Sequence, residues 1–182
     1  MAGLRDADSE NRWLGRMNPG QMESEVVRDS VLFVAGDLDF TAGGPPTPNT
    51  EAEKSHRRSL YFEYFPEPGG NSAFGEVFDP PSSLECYRRT TTVVPQQALA
   101  LSNSTLAANS SRRVVQELSS GLDDARFVYA AFEMVLARRP TGPEVDASRD
   151  FLTRTATGDS AEAARISLVR VLLNHHDFVT IR

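Results

Sequence analysis

Apolar positions recur at helical spacing through most of the second half of the chain. From Thr105 to Ser119, Leu106, Val114, Val115 and Leu118 mark a helix that Gly121 closes. A cap at Asp123 or Asp124 opens the next. There Phe127, Val128, Ala131, Phe132, Val135 and Leu136 form a broad apolar stripe, the pattern of a deeply buried helix, and Pro140 stops it. Thr141 and Glu144 make a capping box around Pro143, with Val145, Phe151 and Leu152 following at helical spacing. Ser160 caps a last helix that turns Ala164, Leu168, Val171 and Leu172 inward. Consecutive helices joined by turns this short stack antiparallel or nearly so.

The first half is less regular. Asn18, Pro19 and Gln21 carry a capping-box signature, and Met22, Val26, Val27, Val31, Phe33 and Val34 follow it. The pattern predicts a helix from Pro19 to Ala35 with Gly36 as C-cap and Trp13 and Leu14 folded back on its first turn. Residues 1–12 are polar and unpatterned and are expected to be loosely held. Residues 37–55 read as a loop; its Gly-Gly-Pro-Pro lacks the Gly-Lys-Ser/Thr of a phosphate cradle. His56 to Phe65 alternates like a strand with aromatic residues on both faces, and Pro66 ends it. A strand needs a partner. Phe178 to Ile181 is the other strand-like piece, so these two are expected to pair, with a segment outside this chain as the competing partner.

Between the halves, Phe78 to Asn103 is the most idiosyncratic stretch. Pro80, Pro81 and the run Thr90 to Val94 exclude a regular helix, so residues 78–94 read as a long ordered loop. Such a loop needs internal anchors, and Phe78, Leu84, Cys86, Arg88 and Arg89 are the residues able to supply them. Pro95 then stands at a helix start before Gln96, Gln97, Ala98, Leu99, Ala100 and Leu101, and Asn103 ends that helix. The expected fold is mainly α, with five or six helices, the long loop and a minor two-stranded β element. Residues 13–182 are expected to make a single domain.

Composition narrows the chemistry. With 40% hydrophobic and 24% charged residues, the 182-residue chain has material for a real core. A net charge of −6 argues against a general nucleic-acid binder. No apolar run is long enough to span a membrane, and the acidic first fifteen residues are no secretory signal. Lys54 is the only lysine, so positive charge is carried by arginine, which suits planar contacts with carboxylates and carbonyls. The one cysteine supports neither an intrachain disulfide, nor a CxxCH haem site, nor a cysteine-rich zinc site. No cofactor is expected.

Three groups of residues could carry chemistry. Cys86 beside Arg88 and Arg89 resembles an activated thiol, but no histidine is near it in sequence, so a structural cysteine is the default. His175, His176 and Asp177 sit at a helix end, where adjacent imidazoles point apart and no metal site is expected. Arg57, Arg58, Arg88 and Arg89, with Asp79, Glu85 and Cys86, could line an anion or sugar-acid pocket; the commoner outcome is an internal network in which arginines tie carbonyls and carboxylates together. The acids Glu23, Glu25 and Asp29 fit the same bland account, pairing with Arg28 or other arginines.

In combination these motifs resemble the C-terminal domain of unknown function in the planctomycetal cytochrome c-domain proteins. The matching residues are Glu23, Arg28 and Asp29; Gly43, Gly44 and Pro45; Arg57, Arg58, Ser59 and Tyr61; Phe78, Asp79, Pro80, Cys86, Arg89, Pro95, Gln97, Ala98, Leu99 and Asn103; and Arg138, Pro140, Thr141, Glu144, Leu173, Asn174 and Phe178, with Asp177 where the family has Glu. The resemblance implies the C-terminal part of a long exported protein. Its haem-binding and secretion segments have no counterpart in this sequence. The expected role is a non-catalytic structural or interaction module in the cell envelope, its partners being upstream domains of the parent or another envelope protein. The alternative is a hydrolase-type domain acting on polysaccharide or sulfated sugar at the arginine-rich loop.

Overall fold

The structure is a computed structural model that describes residues 8–65, 67, 70–79, 95–118, 121–155 and 160–181. Among these residues seven α-helices and one two-stranded antiparallel sheet occur, so the fold is mainly α. The order is β1 (Gly20–Gln21), α1 (Ser24–Val34), α2 (Ala73–Val77), α3 (Pro95–Asn103), α4 (Thr105–Leu118), α5 (Asp124–Leu136), α6 (Gly142–Thr155), α7 (Ser160–Leu173) and β2 (Thr180–Ile181). Short 3-10 turns at Asn49–Glu51 and Ser59–Tyr61 punctuate the segment between α1 and α2.

The helices of the second half pack as their apolar stripes require. Helices α4 and α7 lie against each other, α6 packs on α7, and α5 contacts both α6 and α7. The α5 stripe from Phe127 to Leu136 is buried along its whole length, with Phe127 and Val128 fully enclosed. Burying a side chain such as Phe127 contributes about 2–3 kcal/mol. Asp123 caps α5 by accepting from Arg126 N at 2.8 Å. The helix ends on Ala137, whose φ of 52° is left-handed, before Pro140 is reached. In α6 the Thr141 N–H and Oγ1 both donate to Glu144 Oε2, at 2.7 and 2.8 Å, the side-chain arm of the expected capping box. On α7 the buried face is Ala164, Leu168, Val169, Leu172 and Leu173; Val171, expected to face in, is 61% exposed.

Helix α1 carries Val27, Val31 and Leu32 into the core and packs on α4. Its C-terminus closes with Gly36 N donating to Phe33 O at 3.0 Å and Asp37 N to Leu32 O at 2.9 Å. This paired arrangement needs the left-handed backbone that Gly36 adopts at φ 72°.

Three expectations are corrected at the other end of α1. The helix begins at Ser24 rather than Pro19, because Gly20 and Gln21 pair with Ile181 and Thr180, and Met22 N donates to Val179 O at 2.8 Å. A long-range ladder has taken the backbone groups that a local capping signal would have placed in a helix. Asn18 accepts from Asn11 Nδ2 instead, and Trp13 and Leu14 are 78% and 79% exposed rather than folded back. The partner of the terminal strand is therefore β1.

The segment 56–65 is not a strand. It contains the Ser59–Tyr61 turn and touches the preceding loop through single parallel bridges, Asp39 to Arg57 and Thr47 to Phe62. Its backbone is satisfied across that loop: Asp39 N donates to His56 O at 2.8 Å, Thr47 N to Tyr61 O at 2.7 Å, and Glu63 N to Thr47 O at 3.0 Å. The aromatic alternation serves arginines rather than two sheet faces, with Arg28 4.5 Å from the Phe62 ring centre and Arg57 4.3 Å from that of Tyr61.

Candidate functional site

Arg28 projects from α1 into the loop that runs from residue 37 to residue 63, and only 3% of it is exposed. Its Nη1 donates to Arg57 O at 3.0 Å and to Ser59 Oγ at 3.3 Å; its Nη2 donates to Ala52 O at 2.9 Å and also to Ser55 O. Asp29, next along the helix, accepts from Ser59 N at 2.9 Å and from Ser59 Oγ at 2.7 Å, and its Oδ1 lies 3.5 Å from Arg28 Nη1. Burial pulls the Arg28 pKa below its ordinary value, and the Asp29 charge opposes that pull. Hollows of about 20 and 30 Å³ flank the guanidinium, each with room for a water or two and no more.

Arg57 repeats the arrangement one layer further out. It donates to Pro45 O at 2.8 Å and Gly43 O at 2.5 Å while lying over the Tyr61 ring, whose hydroxyl accepts from Gly43 N at 2.9 Å. The Gly43-Gly44 pair, at φ 78° and 90°, lets the loop double back beneath that guanidinium. Arg58 is exposed, as is His56. Asp79 follows α2 and the buried Phe78 with a left-handed φ of 52°; Phe78 stacks on Phe74 with ring centres 4.9 Å apart. Leu84, Glu85, Cys86, Arg88 and Arg89 lie outside the described residues, so of the expected pocket only Arg57, Arg58 and Asp79 have a described position.

A second arginine centre joins three elements. Arg138, just past α5, forms a two-pronged pair with Glu144 on α6, at 2.9 and 2.7 Å, and donates through Nε to Asp177 Oδ2 at 2.7 Å. The Arg138 guanidinium beside Glu144 pulls its carboxyl down to about 2. In return, Glu144 first and Asp177 second raise the pKa of Arg138. His175 Nδ1 accepts from Asp177 N at 3.0 Å, whereas His176 faces Thr180 Oγ1 at 3.4 Å. The two imidazoles thus serve different neighbours. Among the described residues no three His, Cys, Asp or Glu side chains are grouped to hold a metal ion, and no helix is long and apolar enough to cross a membrane. Arg138, Glu144 and Asp177 belong to motifs visible in the sequence, but nothing in their spacing shows that they meet.

One feature that sequence reasoning missed is a cavity of about 490 Å³ where α3, the β1–β2 pair and the residues after α7 come together. It joins Gln21 and Phe78 to Gln97, Leu101, Asn174 and Val179, residues far apart in the sequence. Gln21 reads locally as part of a helix cap, which hides its place in the cavity wall.

No curated protein and no solved structure matches this chain. A protein-family model, PSD1, protein of unknown function (DUF1553), matches residues 2–152. That match runs from the N-terminal segment into α6 and takes in both the Arg28 clamp and the Arg138–Glu144 pair. The chain belongs to the PSD1 (DUF1553) family.

Proposed function

We propose that residues 13–182 work as one helical, non-catalytic structural or interaction module, the C-terminal part of a larger cell-envelope protein. Its partners are upstream domains of that parent or another envelope protein. The observation that carries this reading is the engagement of Arg28: its two terminal nitrogens are bonded to three backbone carbonyls and a hydroxyl of one loop, with water-sized hollows beside them. An arginine that binds substrate needs donors turned to a cleft; this one is turned to the backbone. Arg57 follows the same pattern with Gly43 and Pro45. Shape, in this account, is what the arginines provide.

The competing reading is a hydrolase with its site at the arginine-rich loop. The experiment is an assay of the purified chain against p-nitrophenyl esters, glycosides and sulfate esters, with Arg58→Ala alongside. The module reading expects no turnover above the buffer rate. Saturable turnover that Arg58→Ala removes at unchanged Tm contradicts it.

A further inference from the structure

An open groove of about 500 Å³ runs along the outer face of α7. Four α7-side residues at helical spacing, Ser167, Arg170, Val171 and Asn174, line it together with Ser102 on the last turn of α3 and with His175 and His176 after α7. Ser167, Val171 and His176 are exposed, and Ser102, Arg170, Asn174 and His175 are half-buried, so the groove is open to solvent.

The polar groups here are arranged as donors. Arg170 Nη2 donates to Ser102 O at 2.7 Å, and Nε and Nη1 make no hydrogen bond among the described residues. Arg154 and Arg165 each meet a carboxylate; Arg170 has none within ion-pair distance among the described residues and is tied to a neutral carbonyl instead. Ser102 Oγ accepts from Asn174 Nδ2 at 3.0 Å, which leaves its hydroxyl proton to be given. His175 Nδ1 accepts from Asp177 N at 3.0 Å, which places the ring proton on Nε2 as a further donor. Asp177 Oδ2 lies 3.6 Å from His175 Nδ1, but that carboxylate is engaged by Arg138 at 2.7 Å. His176 is turned to Thr180 Oγ1 and Ser167 Oγ to Ala163 O, so neither competes for Arg170. Beside these donors Val171, 61% exposed, sets an apolar surface in the groove.

We infer that this groove binds an organic oxyanion, a carboxylate, sulfate or phosphate group on an apolar body, with the oxyanion on Arg170 and its neighbouring donors and the body over Val171. A guanidinium held at one nitrogen and open at the others is already oriented for charge-assisted bonds to such a group. Arg170 takes no part in the contacts that carry the module reading, so either can fail without the other.

The test follows the arginine Nε–H resonances of the purified chain by NMR at fixed ionic strength, during titration with benzoate, phenyl sulfate and phenyl phosphate. Benzamide, which lacks the charge, and acetate, which lacks the ring, are the comparisons. At least one of the three aromatic anions should shift the Arg170 signal saturably, at concentrations at least tenfold below those that move the signal of the exposed Arg126. The tightest of the three identifies the head group. Benzamide should not saturate, and acetate should bind about tenfold more weakly than benzoate or the tighter aromatic anion. Ser167→Glu, at an exposed position three residues before Arg170, supplies an internal carboxylate and should weaken binding at least tenfold. An Arg170 signal that responds no earlier than that of Arg126, benzamide or acetate matching the aromatic anions, or affinity unchanged in Ser167→Glu overturns the assignment. The comparisons on the wild-type chain decide it even if the variant fails to fold.

Discussion

Arg28 and Asp29, neighbours on α1, converge on one residue across the loop: Asp29 Oδ1 accepts from Ser59 Oγ at 2.7 Å, and Arg28 Nη1 donates to that same oxygen at 3.3 Å. The hydroxyl is donor to one and acceptor to the other, which uses both of its capacities. Successive residues on a helix usually diverge by about 100°, so their agreement on a single target shows that the loop is folded around the pair.

Arg28→Met keeps the bulk and removes every donor. The buried carbonyl of Ala52 and the half-buried carbonyls of Ser55 and Arg57 then lose their donor beside Asp29, at a cost of about 3 kcal/mol. For a chain of this size the thermal melt should fall by roughly 10 °C. Arg28→Lys should recover only part of this, since an ammonium cannot span carbonyls that a planar fork reaches.

Asp29→Asn removes the charge but leaves an oxygen able to accept from Ser59. The Arg28 guanidinium then sits buried with its nearest countercharge gone, and about 2 kcal/mol of stability should be lost in chemical denaturation.

Acid should weaken the Arg138 centre in a definite window. The folded Glu144 has its pKa lowered from 4.5 to about 2, so the folded state binds fewer protons than the unfolded one. The stabilisation is therefore fully present above about pH 5 and is lost as pH falls toward 2. The pair is about 30% exposed, and screening holds the contribution to about 1–2 kcal/mol. Denaturant midpoints measured from pH 6 to pH 2 should show this decline in the wild type and a shallower one in Glu144→Gln.

Two left-handed positions should respond in opposite directions. Gly36 has φ 72° with open space where a Cβ would sit, so Gly36→Ala should cost about 1 kcal/mol through backbone strain alone. Ala137 has φ 52° already, so Ala137→Gly should be neutral to stabilising, by up to about 1 kcal/mol. Paired thermal melts check both.

The parts of this fold visible in the sequence are those with local causes. The α5 stripe, the helix start at Pro95 and the stop at Gly36 all follow from residues a few positions apart. The errors share the opposite cause. Pro19 to Gln21 carries a sound capping signal, yet residues 179–181 claim its backbone from the far end of the chain. The alternation from His56 to Phe65 is real, but its aromatics lie beneath Arg28 and Arg57 rather than on two faces of a sheet. For the candidate site, the chemistry of arginine pointed to internal ties, and Arg28 was visible as a family match; that it is buried, and that Gln21 faces Gln97, depends on contacts no spacing encodes.

The most direct test of the strut account is amide hydrogen exchange of Asp39, Thr47 and Glu63 in the wild type and in Arg28→Met. These three N–H groups donate across the loop that Arg28 grips, yet none of them is bonded to Arg28 itself. The account predicts that all three exchange at least tenfold faster in the variant, because the loop opens once its central tie is cut. Protection unchanged in Arg28→Met would contradict it.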